Sequence, residues 1–157
     1  MSSEQNDILN EVRRIADALE RISASTDTPS LDQDHQAFVW NTAPDRFQAV
    51  PHVNHIPLRL LQGIDHQTDT LYANTSRVAQ GLPANNALLW GARGTGKSSL
   101  VKAVHADIAA SSSLTLVEIH REDLESLPRL LSHLSAEKDR RFIVFCDDLA
   151  FEGAETS

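Results

Sequence analysis

The chain has 157 residues, 41% of them hydrophobic, which is enough for one ordinary core with appendages. Fourteen Lys and Arg against twenty-two Asp and Glu leave a formal charge of −8 and no clustered basic face, so nucleic acid is not indicated as a partner. No apolar run reaches the roughly 18 residues of a membrane span, the N-terminus lacks the basic-then-apolar pattern of a secretory signal, and one cysteine, Cys146, excludes an internal disulfide; no membrane association and a cytoplasmic location are expected.

Ile8, Val12, Ile15, Leu19 and Ile22 recur at alternating steps of four and three, the spacing that keeps one apolar seam facing a partner. Residues 1–22 therefore read as an amphipathic, coiled-coil-like helix. Through residues 8–22 it could form a homo-oligomer, bind a partner helix, or dock on its own domain. Residues 23–36 are rich in Ser, Thr, Asp and Gln and read as a flexible linker.

From Ala37 to Pro57, Phe38, Val39 and Trp40 are followed by three prolines, which predicts an irregular, extended wrap on the surface. His52 and His55 fall here and read as surface histidines, since no cysteine or carboxylate lies near to complete a metal set. A helix is expected from Asp65 to Gln80, stopped by Gly81 and Pro83.

The apolar run Ala87 to Trp90 predicts a buried strand, and it leads into Gly91-Ala92-Arg93-Gly94-Thr95-Gly96-Lys97-Ser98, a fit to Gly-x-x-x-x-Gly-Lys-Ser/Thr. A polyphosphate is held by successive backbone N–H groups curling round it, which needs residues that accept positive φ and close approach. Lys97 supplies a point charge for the β- and γ-phosphates, Ser98 offers a hydroxyl to Mg²⁺, and the helix beginning there directs its positive end at the anion. Leu100, Val101, Val104 and Ile108 recur at helical spacing after Ser99, as that context requires. ATP and Mg²⁺ are thus the expected ligands.

Leu114 to Ile119 reads as a strand, Asp123 to Leu134 as a helix interrupted or started by Pro128, and Phe142 to Cys146 as a strand ending in Asp147-Asp148. Alternating strands and helices predict an α/β fold with a parallel sheet and flanking helices, of the P-loop NTPase type, preceded by the N-terminal helix. An acidic residue ending an apolar strand about fifty positions after the glycine loop is placed to complete a Mg²⁺ site. Asp147 is the expected metal partner of Ser98, and Asp148 the expected general base, with Lys97 as the other catalytic group.

The segments Ala84-Asn85-Asn86, Leu88 to Ala106, His120 to Leu124 and Arg141 to Leu149 resemble an uncharacterised bacterial family of AAA+ P-loop ATPases. The likeness runs from about Ala37 to the C-terminus, which places a partial ATPase domain at 37–157. It implies Gly91 to Ser98, with Ser99, as the Walker A segment and Asp147-Asp148 as Walker B. It also implies Leu61-Gln62-Gly63-Ile64, with Gly63 and Ile64 foremost, as the adenine-side loop. Two departures matter. Asp148 stands where many such ATPases have Glu, and only residues 149–157 follow, too few for the polar sensor strand, the arginine that completes a neighbour's site and the helical lid. Weak nucleotide binding and negligible turnover are expected of this chain. A small-molecule kinase built on the same loop and a non-catalytic module stabilised by nucleotide are the other readings.

Overall fold

The computed structural model describes residues 12–15, 29–92 and 94–148. The chain divides into two units, Met1–Ser30 and Leu31–Ser157. In the first, residues 12–15 are helical, with Val12 and Ile15 exposed. The rest of the expected 8–22 helix lies outside the described residues.

The second unit contains a four-stranded open sheet built from β1 (Ala37–Thr42), β2 (Asp45–Ala49), β3 (Leu114–Ile119) and β4 (Arg141–Cys146). Their spatial order is β2-β1-β3-β4. β1 pairs with β3 and β3 with β4 in parallel, while β1 and β2 form an antiparallel hairpin, so the sheet is mixed and not purely parallel. Three helices flank it: α1 (Asp65–Ala79), α2 (Lys97–Ala109) and α3 (Leu127–Ala136).

Period-two alternation along the strands decides which helix each side chain meets. Leu114 and Leu116 of β3, with Ile143 and Phe145 of β4, pack on the side of Leu100, Val101, Val104 and Ile108 of α2. Leu71, Tyr72, Val78 and Ala79 of α1 join the same side. Val117 and Ile119, with Trp40, Phe142 and Val144, point the other way onto Leu130 and Leu134 of α3. β3 is therefore covered on both faces, which is why five of its six residues are buried and why it reads as a nearly continuous apolar run.

The helix ends follow their sequence signals. α1 stops in a Schellman turn: Leu82 N–H donates to Arg77 O at 2.8 Å and Gly81 N–H to Val78 O at 2.9 Å, with Gly81 at φ +71°. Pro128 lies in the first turn of α3, where its missing N–H costs nothing, so it starts that helix. A 3₁₀ segment, Arg121–Ser126, precedes it where the sequence suggested α-helix from Asp123.

Two expectations are overturned. Residues 37–49 are not a surface wrap, because Trp40 is fully buried, its Nε1 donates to Ser126 Oγ at 2.8 Å, and β1 holds an inner place in the sheet. The prolines that suggested irregularity fall between elements: Pro44 in the hairpin turn, with a cis Ala43–Pro44 bond, and Pro51 after β2. Ala87 to Trp90 is not a buried strand either. The run has no regular secondary structure and no ladder pairing, Leu89 alone turns inward with Ile143 and Phe145, and Leu88 and Trp90 are 65% and 87% exposed. At this margin of the sheet no further layer among the described residues covers the outward side, and apolarity by itself does not bury a residue.

Leu31 to Gln36, within the stretch read as linker, is tied to the domain. Gln36 Nε2 donates to Ala109 O and Ser112 O, and Arg140 donates to His35 O and Asp32 O.

His105 is buried on α2, with Nε2 3.2 Å from Leu114 O and no well-formed bond at Nδ1. Burial lowers its pKa from the ordinary 6.5, outweighing the opposite pull of the Leu114 and Gln36 main chain. The folded state therefore resists a proton that the unfolded chain accepts, so stability is complete above about pH 6.5 and declines as pH falls below it. Denaturant midpoints should drop between pH 7.5 and 5.5, with a shallower drop in His105→Gln; equal slopes in both proteins would contradict this origin.

Candidate functional site

Gly91, Gly94 and Gly96 adopt φ of +138°, +80° and +83°, so the loop curls through conformations that side-chain-bearing residues rarely take. Gly96 is the N-cap residue of α2, and Lys97 is the first residue of that helix. Thr95 Oγ1 donates to Ala92 O at 2.9 Å, and Lys97 Nζ donates to Gly91 O at 3.0 Å and Ala92 O at 2.8 Å. The ammonium thus folds back across the mouth of its own loop. Arg93 lies outside the described residues.

The first turn of α2 faces the end of β4. Ser98 Oγ lies 2.7 and 2.8 Å from the two carboxylate oxygens of Asp147 and donates into that carboxylate across 49 positions of sequence. Strand alternation explains why it is Asp147 that arrives there: Ile143 and Phe145 face α2, and Asp147 is the next residue in that series.

Asp148 takes another role locally. Its φ is +54°, and its N–H donates to Asp147 Oδ1 at 2.9 Å, so the chain turns sharply after β4 and the Asp147 carboxylate is fixed from two sides. Asp148 also lines a cavity of about 430 Å³ together with Glu118, His120, Arg121, Glu122 and Asp147. Cys146 packs at the margin of the α3-side core. Burial, and then the neighbouring Asp147 charge, pushes its thiol pKa up and disfavours the thiolate.

The adenine-side candidates are placed less directly. Ile64 packs with Leu100 and Val104 of α2, and Gly63 makes a positive-φ turn just before α1. Both therefore stand where the chain enters the helix beside α2. Ser99 follows Ser98 within the first turn of α2 and is partly buried. His55 Nδ1 bonds to Val53 O at 3.0 Å. Among the described residues no three His, Cys, Asp or Glu side chains converge as a metal site, so a cation here would rely on Ser98 and Asp147 with oxygens from a ligand.

Sequence reading passed over one pair. Lys102 Nζ lies 3.3 Å from Glu118 Oε2, each side chain about three-quarters buried. The signal was present: Glu118 is the single charged residue of β3, and a carboxylate in an otherwise apolar strand needs a partner.

Since an added Cβ at Gly96 would meet nothing within 4 Å, the cost of Gly96→Ala is one of backbone conformation alone. Urea unfolding should register a loss of about 1–2 kcal/mol, and no loss would mean that the loop does not hold that conformation.

No curated protein and no solved structure matches the chain. A family profile described as "Protein of unknown function (DUF815)" matches residues 33–157, a span that includes the sheet, the three helices, the glycine loop and the acidic turn. With four-fifths of its length matched, the chain is a member of that family.

Proposed function

We propose that the chain binds a nucleoside triphosphate with Mg²⁺ at the Gly91–Ser98 loop, and that the complete activity is ATP hydrolysis by a P-loop ATPase of the AAA+ kind. The observation that carries this reading is the Ser98–Asp147 contact. A hydroxyl on the first turn of a helix and a carboxylate at the end of a neighbouring strand meet at 2.7 Å, directly after a loop of positive-φ glycines. A structural turn would need neither the meeting nor the loop.

In this reading the backbone amides between Gly91 and Ser99 bind the phosphate tail, supported by the positive end of the α2 dipole. Lys97 exchanges the carbonyls of Gly91 and Ala92 for phosphate oxygens, a move that needs only rotations of its own side chain. Ser98 and Asp147 would hold the cation, which when bound would supply charge neutralisation for the phosphates. Asp148, at the rim of the same cavity, is the candidate to orient a water and receive its proton. ATP is preferred over GTP because Asp147 is followed by Asp148-Leu149-Ala150 and does not open the Asp-x-x-Gly pattern of guanine-nucleotide sites.

Lys97→Ala should weaken Mg-ATP binding by roughly ten- to a hundredfold, the worth of charge-assisted bonds to phosphate. Titration calorimetry on the wild-type and variant chains measures it. Equal affinities would remove the assignment, and phosphate transfer seen only with an added acceptor would turn the reading toward a kinase.

A further inference from the structure

Among the described residues, two side-chain ties join the N-terminal half of α2 to carboxylates of the sheet one helical turn apart, while His105 reaches Leu114 O farther along the helix. The first is Ser98 to Asp147 at 2.7 Å; the second is Lys102 to Glu118 at 3.3 Å. Ser98 and Lys102 stand at i and i+4, hence on the same face of α2. Glu118 follows Leu114 and Leu116 on the α2 side of β3, just as Asp147 follows Ile143 and Phe145 on that side of β4. Glu118 is opposite Phe145 in the parallel register and Asp147 lies two residues farther on, so the two carboxylates lie near the same end of adjacent strands and line one cavity.

We propose that Lys102 and Glu118 are positioning residues that set the distance between Ser98 and Asp147 when a divalent cation takes the place of their direct bond. The inference rests on the nucleotide reading above. Admitting a cation would lengthen the first tie, because Ser98 and Asp147 would then both turn their oxygens toward the cation and not toward each other. The second tie involves no ligand and stays made. Being about three-quarters buried, it is screened less than a surface pair, and it anchors α2 one turn behind the residue that must move least. Without it, lateral placement of the first turn of α2 against the end of the sheet falls to the Ser98–Asp147 contact itself, because apolar packing fixes depth better than lateral position and the His105–Leu114 contact lies about two turns farther along.

The pair should therefore act on cation-dependent affinity and leave the phosphate cradle itself untouched. The test is ATP affinity measured by calorimetry with Mg²⁺ and with EDTA, for the wild-type chain, Lys102→Met and the exchanged double variant Lys102→Glu/Glu118→Lys. The tightening produced by Mg²⁺ should shrink by about tenfold in Lys102→Met, the lower end of what supporting residues of a metal site contribute. EDTA affinity should stay at the wild-type value, and the exchanged variant should regain most of the tightening. If Lys102→Met loses its cooperative thermal transition, Glu118→Gln, nearly isosteric, takes its place in the same comparison. Unchanged tightening overturns the proposal, as does a fall of both affinities together, which is what a merely structural pair would give. A wild-type chain that binds ATP equally with Mg²⁺ and EDTA refutes the positioning role while sparing the nucleotide reading; one that binds no nucleotide at all refutes both.

Discussion

The parallel pairing of β3 with β4, from Leu114 opposite Arg141 to Ile119 opposite Cys146, is the constraint on which the candidate site depends. It determines how far β4 extends along its neighbour and which of its side chains face α2. A slip of one residue would turn Ile143 and Phe145 away from α2 and carry Asp147 to the α3 side. The register is protected by packing on both faces, since the wrong alternation would set Phe142 and Val144 against α2 and Ile143 and Phe145 against α3, where their shapes do not fit the existing core. A polar contact between a half-buried hydroxyl, Ser98, and an exposed carboxylate, Asp147, thus depends for its geometry on a core that contains neither.

The same division between local and non-local causes explains what was readable in the residues. The glycine loop, the stop of α1 at Gly81, the start of α3 at Pro128 and the strands at 114–119 and 141–146 are local matters. Each is dictated by dihedral preference or by apolar runs of the right length. Asp147 was identifiable because it ends such a run. Trp40 was not recognisable as core, because its hydrogen-bond partner, Ser126, lies 86 positions away and its packing partners belong to β2 and α3. The prolines at 44 and 51 obscured the hairpin further, being true breakers placed between strands.

Burial was the property least accessible to local reading. Ala87 to Trp90 has the composition of an inner strand, yet only Leu89 enters the core. Whether a run is covered depends on layers contributed by other segments, and no spacing within four residues encodes them. The Lys102–Glu118 pair sits between these cases: each residue hinted at a partner, Glu118 by its charge in an apolar strand, but their mutual distance is a product of how α2 lies across β3.

The contrast between the two tryptophans, Trp40 sealed in the core and Trp90 open to water beside Gly91, gives the molecule two separable optical reporters. Indole emission shifts with the polarity around the ring, and a dissolved quencher reaches only a ring it can touch. Iodide or acrylamide would silence Trp90 first and leave a blue-shifted signal from Trp40. Events at the glycine loop and collapse of the interior would then appear as different components of one spectrum, with no dye attached.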